Sequence, residues 1–206
     1  MKKHFFIFVA IVFFTVGLFA QEQSAPTRNF SRIEREDFKS KKFNWEDAST
    51  IKGGSAVKAG YLLLKGKRPT FSPEPVNVRA TTILPFDPKG NFKITVNLNV
   101  IELTGYSVFQ ILLNSGNVVF GVAEGDWAAV VNGATTQIIQ GLKKTSKKDK
   151  VSLSIQKEGS KIYFSYNDNL LGSLESQEIK SSDIILSISS IVKSAEVQVY
   201  EVIVEY

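Results

Sequence analysis

The chain has 206 residues, 43% of them hydrophobic and 22% charged, with 25 Lys and Arg against 20 Asp and Glu, one His and no Cys. With no thiol, and with the single imidazole at His4 inside an apolar leader, it lacks the groups for the usual zinc sites, Ser-His-Asp triads, cysteine nucleophiles and haem ligation. It has no disulfide to brace it, and its net charge of +5, which falls to +3 (23 basic against 20 acidic) without Lys2 and Lys3 of that leader, is too mild to mark a nucleic-acid partner.

Residues 1–20 have the form of a secretory signal. Lys2 and Lys3 precede an apolar run from Phe5 to Phe19, softened only by Thr15 and Gly17, and Ala20 gives way to the polar pair Gln21-Glu22. The run is short for a bilayer-spanning helix of roughly 20 residues. This pattern predicts export, to the periplasm, the cell surface or the exterior, with no membrane insertion once the segment is cleaved. Leu18 occupies a position where cleavage favours a small residue, so an uncleaved anchor is the alternative. Without Cys, a lipid-anchored cysteine is excluded.

Residues 21–42 read as a polar leader. Ser31-Arg32-Ile33-Glu34 has the form of a capping box, which predicts one short helix there. A single domain is expected over 43–206, long enough to bury roughly 70% of its unfolded surface and to dispense with disulfides. Trp45, near its start, is expected in the core or covering a sheet edge.

Beyond that point the periodicity is two. Strands are predicted at Gly60 to Lys65, Val76 to Thr82 and Phe92 to Val100. In the last of these, Phe92, Ile94, Val96, Leu98 and Val100 share one face and Lys93, Thr95, Asn97 and Asn99 the other. Such alternation marks a half-buried strand of an antiparallel sheet. Further strands are predicted at Tyr106 to Leu113, Val118 to Ala123, Trp127 to Val131 and Thr135 to Gln140. Val151, Leu153 and Ile155 alternate with Ser152, Ser154 and Gln156, and Ile162, Phe164 and Tyr166 with Lys161, Tyr163 and Ser165. Ile184 to Ser189 and Ala195 to Tyr206 complete the series. The last segment changes phase, which predicts a β-bulge near Tyr200-Glu201. Short strands at regular spacing, separated by Gly- and Asn-rich turns, define an all-β, antiparallel β-sandwich of jelly-roll type.

Three turns or loops carry polar clusters. Asn167-Asp168-Asn169 offers oxygens to calcium or a sugar, or simply turns the chain; two positive-φ positions suit Asn and Asp, and calcium needs six or more oxygens. The turn reading is preferred, so no cofactor is expected and calcium is not indicated. Lys143, Lys144, Lys147, Lys148 and Lys150 crowd another loop, where they either contact an anionic polymer or keep a solvated loop from edge pairing. Glu124-Gly125-Asp126-Trp127 is the third cluster.

From about Asn91 to Tyr206 the order of segments resembles the concanavalin A-like (laminin G-like) jelly rolls of exported bacterial proteins. NFKITVNLNV resembles the framework strand, GYSVFQILLN and NVVFGVAEGDW the next pair, DKVSLSIQKEGSKIYFSYNDNLLG the recurrent hairpin and AEVQVYEVIVEY the closing strand. IKGGSAVKAGYLLLKGK resembles an early strand pair. The resemblance implies binding of glycans or proteins or, in some branches, hydrolysis of polysaccharides. Glucanases of this fold carry a Glu-x-Asp-x-(x)-Glu strand motif. Glu124 and Asp126 match its beginning, but Ala128 and Ala129 stand where the second Glu belongs.

Glycosidic cleavage needs two placed carboxyl groups, and this motif is incomplete. A non-catalytic carbohydrate-binding sandwich of the envelope or exterior is therefore expected, and not an enzyme; a structural or protein-interaction domain is the alternative, and a glycoside hydrolase stands third. The expected partner is a glycan or an envelope protein. The expected sugar contacts are Trp127 and Tyr106 as stacking platforms, with Asp126, Glu124, Asn114 and Asn132 as hydrogen-bonding groups.

Overall fold

The computed structural model describes residues 25–50, 53–67, 76–104, 107–123, 125–132, 135–145, 150–176, 178–190 and 194–206, with the backbone alone at 47, 49, 50, 125–132 and 135–145. The strands are β1 (Ile33–Glu36), β2 (Glu46–Asp47), β3 (Ser49–Thr50), β4 (Gly53–Lys58), β5 (Tyr61–Lys67), β6 (Val76–Ile83), β7 (Phe92–Leu103) and β8 (Val108–Leu113). A 3₁₀ turn at Asn114–Gly116 separates β8 from β9 (Val118–Ala123). They continue as β10 (Gly125–Asn132), β11 (Thr135–Thr145), β12 (Lys150–Glu158), β13 (Lys161–Tyr166), β14 (Asn169–Glu175), β15 (Asp183–Ser190) and β16 (Ser194–Glu205).

Two antiparallel sheets face each other. A nine-stranded sheet runs β14-β13-β12-β7-β16-β5-β4-β3, with β1 also paired to β16, and a seven-stranded sheet runs β11-β10-β9-β8-β15-β6-β2. The alternation in β7 predicts its packing: Phe92, Ile94, Val96, Leu98 and Val100 are all buried, and Lys93, Thr95, Asn97 and Asn99 lie on the outer side. Opposite them, Phe109, Ile111 and Leu113 of β8 and Phe120 of β9 are fully buried. Phe120 and Phe164 meet edge to face across the sandwich, ring centroids 5.6 Å apart at 69°, a favoured aromatic geometry.

The leader segment departs from expectation. No helix forms at Ser31-Arg32-Ile33-Glu34: β1 pairs with the end of β16, Ile33 opposite Glu205 and Glu36 opposite Val202, so the nine-stranded sheet begins before residue 43. A capping box satisfies only a few local N–H groups, whereas pairing with β16 satisfies a run of backbone donors and acceptors at once. Residues before β1 also hold to the outer side of this sheet, where Gln156 Nε2 donates to the Pro26 carbonyl at 2.9 Å.

The phase change in β16 is a bulge: its register against β7 slips between Val199 and Glu201. Trp45 is buried, with its ring centroid 5.8 Å from that of Phe38. Of the clustered lysines, Lys143 and Lys144 lie on β11 and Lys150 opens β12, its Nζ 5.9 Å from the Tyr200 ring centroid, while Lys147 and Lys148 lie outside the described residues.

Candidate functional site

The sequence-predicted Asp126, Trp127 and Asn132 lie on β10 of the seven-stranded sheet, whose outward side is a broad surface. Strand pairing aligns it in rows. In one, Gly121, Gln110, Ser187 and Arg79 follow one another across β9, β8, β15 and β6; in the next, Val119, Leu112, Ile185 and Thr81 do so. Asn77 and Arg79 are exposed, and Gln110 is half-buried. Gly121 is buried, and a Cβ there would sit 3.3 Å from Gln110 Cγ and Val108 Cγ1, so those two side chains already close over it.

β10 extends these rows. Ala129 pairs with Gly121 and Val131 with Val119, so Trp127, two residues earlier, falls on the same outward parity. Asp126 precedes it where the register of β10 against β11 slips between Gly125 and Trp127. Asn132 lies at the other end of β10, opposite Val118 and on the other parity. Tyr106 and Glu124 lie outside the described residues.

Asn114 is no sugar contact in this arrangement. It is buried, its Nδ2 donates to the Glu178 carbonyl at 3.0 Å, and its Oδ1 accepts the Lys180 N–H at 3.0 Å. The pairing of Val108 with Ala123 and of Leu113 with Val118 puts Asn114 at the Asn132 end of the sheet, away from Asp126 and Trp127. The length of β9 separates the two ends by about 17 Å at a strand rise of about 3.4 Å per residue. Of the predicted contacts whose backbone is described, Asp126 and Trp127 lie at the start of β10, and Asn114 and Asn132 lie at the opposite end of the sheet.

The rows add polar groups that single-strand reading does not bring together, namely Gln110, Arg79 and Asn77, with Ser187 buried between Gln110 and Arg79. The polar parity of β6 was visible in the sequence; which residues of β8 and β15 it would meet was not. Among the described residues, the carboxylates on this outward side are Asp183 and Glu46. Asp183 opens β15 at the Asn114 end, and Glu46 is on the edge strand β2. Neither accompanies Gln110 in the central row.

At the Trp127 end, the turn into β8 is tied down by buried hydroxyls. Ser107 Oγ donates to the Thr104 carbonyl, and the Ser107 and Ser190 hydroxyls are 3.0 Å apart. The turn Asn167-Asp168 has φ of 48° and 64°, and Asn167 Oδ1 accepts the Ser152 N–H at 2.8 Å. It is a hairpin turn whose Asn side chain is committed to the adjacent strand. Among the described residues no three acidic or imidazole side chains gather as metal ligands.

No protein-family model and no curated protein matches the chain. Solved structures do. The β-glucanase of Bacillus licheniformis superposes with a TM-score of 0.62 at 10% identity, over 84% of this chain and 98% of that one. The catalytic domain of an endo-1,3-β-glucanase (laminarinase) of Thermotoga petrophila gives 0.60 at 11% identity, over 87% and 99%. A sialidase matches with a TM-score of 0.62 at 10% identity, 86% of this chain corresponding to 19% of that one. The expectation of a non-catalytic binding sandwich that is not an enzyme is corrected by these matches, since the two glucanases that share the architecture over almost their whole lengths are catalysts. The chain folds as a concanavalin A-like jelly roll, the architecture of those glucanases.

Proposed function

We propose that this protein is a glycan-processing enzyme, a glycoside hydrolase acting on β-glucan-type polysaccharide along the outward side of the seven-stranded sheet. The observation that carries the reading is the start of β10. There Trp127 keeps the outward parity of Ala129 and Val131, and the register slip between Gly125 and Trp127 interrupts the alternation that would otherwise turn Asp126 to the core side. Glu124 and Asp126 are two residues apart in sequence, near enough to bring two carboxyl groups to one sugar. Cleavage of a glycosidic bond with retention uses carboxyl groups about 5–5.5 Å apart, and with inversion about 6.5–9.5 Å. In this scheme one carboxyl protonates the leaving oxygen, the other attacks or activates water, Trp127 stacks on a sugar ring, and Gln110 and Arg79 bind hydroxyls further along the row. Export, inferred from residues 1–20, brings the protein to polysaccharide of the envelope or surroundings.

The test is release of reducing ends from laminarin and mixed-linkage β-glucan by the purified protein. Glu124→Gln and Asp126→Asn are each expected to lower the rate by about 100-fold or more, and Trp127→Ala to raise KM with a smaller change in kcat. Absence of release by the wild type, or full rates in both carboxyl variants, overturns the proposal.

A further inference from the structure

We propose that the end of the sandwich beside the β12–β13 turn binds the carboxylate of an acidic sugar, with the Lys157 ammonium as its anchor. Lys157 stands near the end of β12 on the core-facing parity, opposite Phe92 and Ile162, and is 8% exposed. Its Nζ donates to the carbonyl oxygens of Lys89 at 3.0 Å and Gly90 at 2.9 Å. An ammonium has three hydrogens, so one remains. Among the described residues no carboxylate forms an ion pair with it. A buried ammonium is stable only when its charge is answered, and two carbonyl dipoles answer it in part.

The same side chain lines an open cavity of about 410 Å³, within the size range of small-molecule sites. Lys89 adds a second positive charge to the lining. Its acid, Glu178, is 67% exposed and lies 3.8 Å from Lys180, so its charge is directed to solvent. Ser160 supplies a hydroxyl, and Ile179, only 2% exposed, closes the floor. An inorganic anion can only accept from that hydroxyl, whereas a uronic acid pairs its carboxylate with Lys157 and both donates to and accepts from Ser160 through its ring hydroxyls. The site is independent of Glu124 and Asp126, so its failure and that of the catalytic reading are separate results.

The experiment is an amide NMR titration of the purified protein with D-glucuronate, D-glucose and sodium sulfate at matched ionic strength. Saturable shifts at Gly159, Ser160 and Ile179 with glucuronate, none with glucose, and at least tenfold weaker binding of sulfate are expected. Lys157→Met, which keeps the apolar stem, is expected to weaken glucuronate binding tenfold or more. No saturable shift with glucuronate, sulfate binding as tightly as glucuronate, or unchanged affinity in Lys157→Met overturns the proposal. Should that variant not fold, the wild-type titration decides: shifts confined to this end of the sandwich support the site, and their absence removes it.

Discussion

The Phe43 N–H donates to the Glu36 carboxylate at 2.7 Å. The other oxygen of that carboxylate accepts the Phe38 N–H, also at 2.7 Å, and Glu36 is fully buried at the end of β1. One carboxylate thus closes the loop that brings Phe38, Phe43 and Trp45 onto the core. Glu36→Gln places an amide NH₂ against one of two backbone donors, leaving that donor unpaired. A loss of about 1–3 kcal/mol in stability is expected, read from the urea midpoint; a loss below about 0.5 kcal/mol, the range of ordinary surface changes, would show that the loop does not depend on it.

The next residue gives a pH dependence. Asp37 is exposed and accepts the N–H groups of Lys39 at 2.9 Å and Ser40 at 3.3 Å. These bonds, that from Lys39 foremost, hold its carboxyl below the ordinary value of 3.8. Because the folded pKa is the lower one, its contribution to stability is present above that ordinary value and is lost as pH falls through the folded value. Stability of Asp37→Asn is expected to fall less steeply than that of the wild type on acidification below pH 3.8. Parallel acid limbs in urea titrations would refute this.

Asn114 tests the division of the predicted site. It has φ of 53°, a left-handed conformation that Asn tolerates better than Ala, and it bonds the chain at Glu178 and Lys180. Asn114→Ala leaves a carbonyl and an N–H unpaired and strains the backbone. It is expected to destabilise the protein by about 2–4 kcal/mol while leaving KM for polysaccharide unchanged at temperatures where the variant is folded. A raised KM with unchanged stability would return Asn114 to the sugar site.

The difference between what was legible and what was not follows from distance along the chain. The strands of the sandwich announce themselves because alternation is local: Phe92 to Val100 needs no partner to be recognised as half-buried. The leader misleads for the same reason, since its capping box is local but the strand that claims it, ending at Glu205, is nearly the whole chain away. Asn114 looks like any turn amide until Glu178, 64 residues later, is placed beside it. The polar row of Gln110, Ser187 and Arg79 exists only through pairing register, which no single strand encodes. Lys157 is the opposite case. It stands on the apolar parity of Val151, Leu153 and Ile155, so a cation at the edge of the core was written in the alternation itself.

The β13–β14 hairpin yields a paired prediction. Asn167 and Asp168 both have positive φ, as a type I′ turn requires, but only Asn167 spends its side chain on the neighbouring strand, accepting the Ser152 N–H at 2.8 Å. Asp168 is exposed, so replacing it with Gly relieves a left-handed penalty that costs a non-Gly residue about 1–2 kcal/mol, less for Asp than for most. Asp168→Gly is therefore expected to leave stability unchanged or raise it by up to about 1 kcal/mol. Asn167→Gly gains the same backbone freedom and keeps its N–H bond to the Ser152 carbonyl at 2.8 Å, yet loses the side-chain hydrogen bond, worth about 1 kcal/mol. It is expected to be the less stable of the two by about that amount. Urea midpoints of the two variants measured side by side check the order; a reversal would mean that the carboxylate of Asp168, and not the amide of Asn167, holds the hairpin.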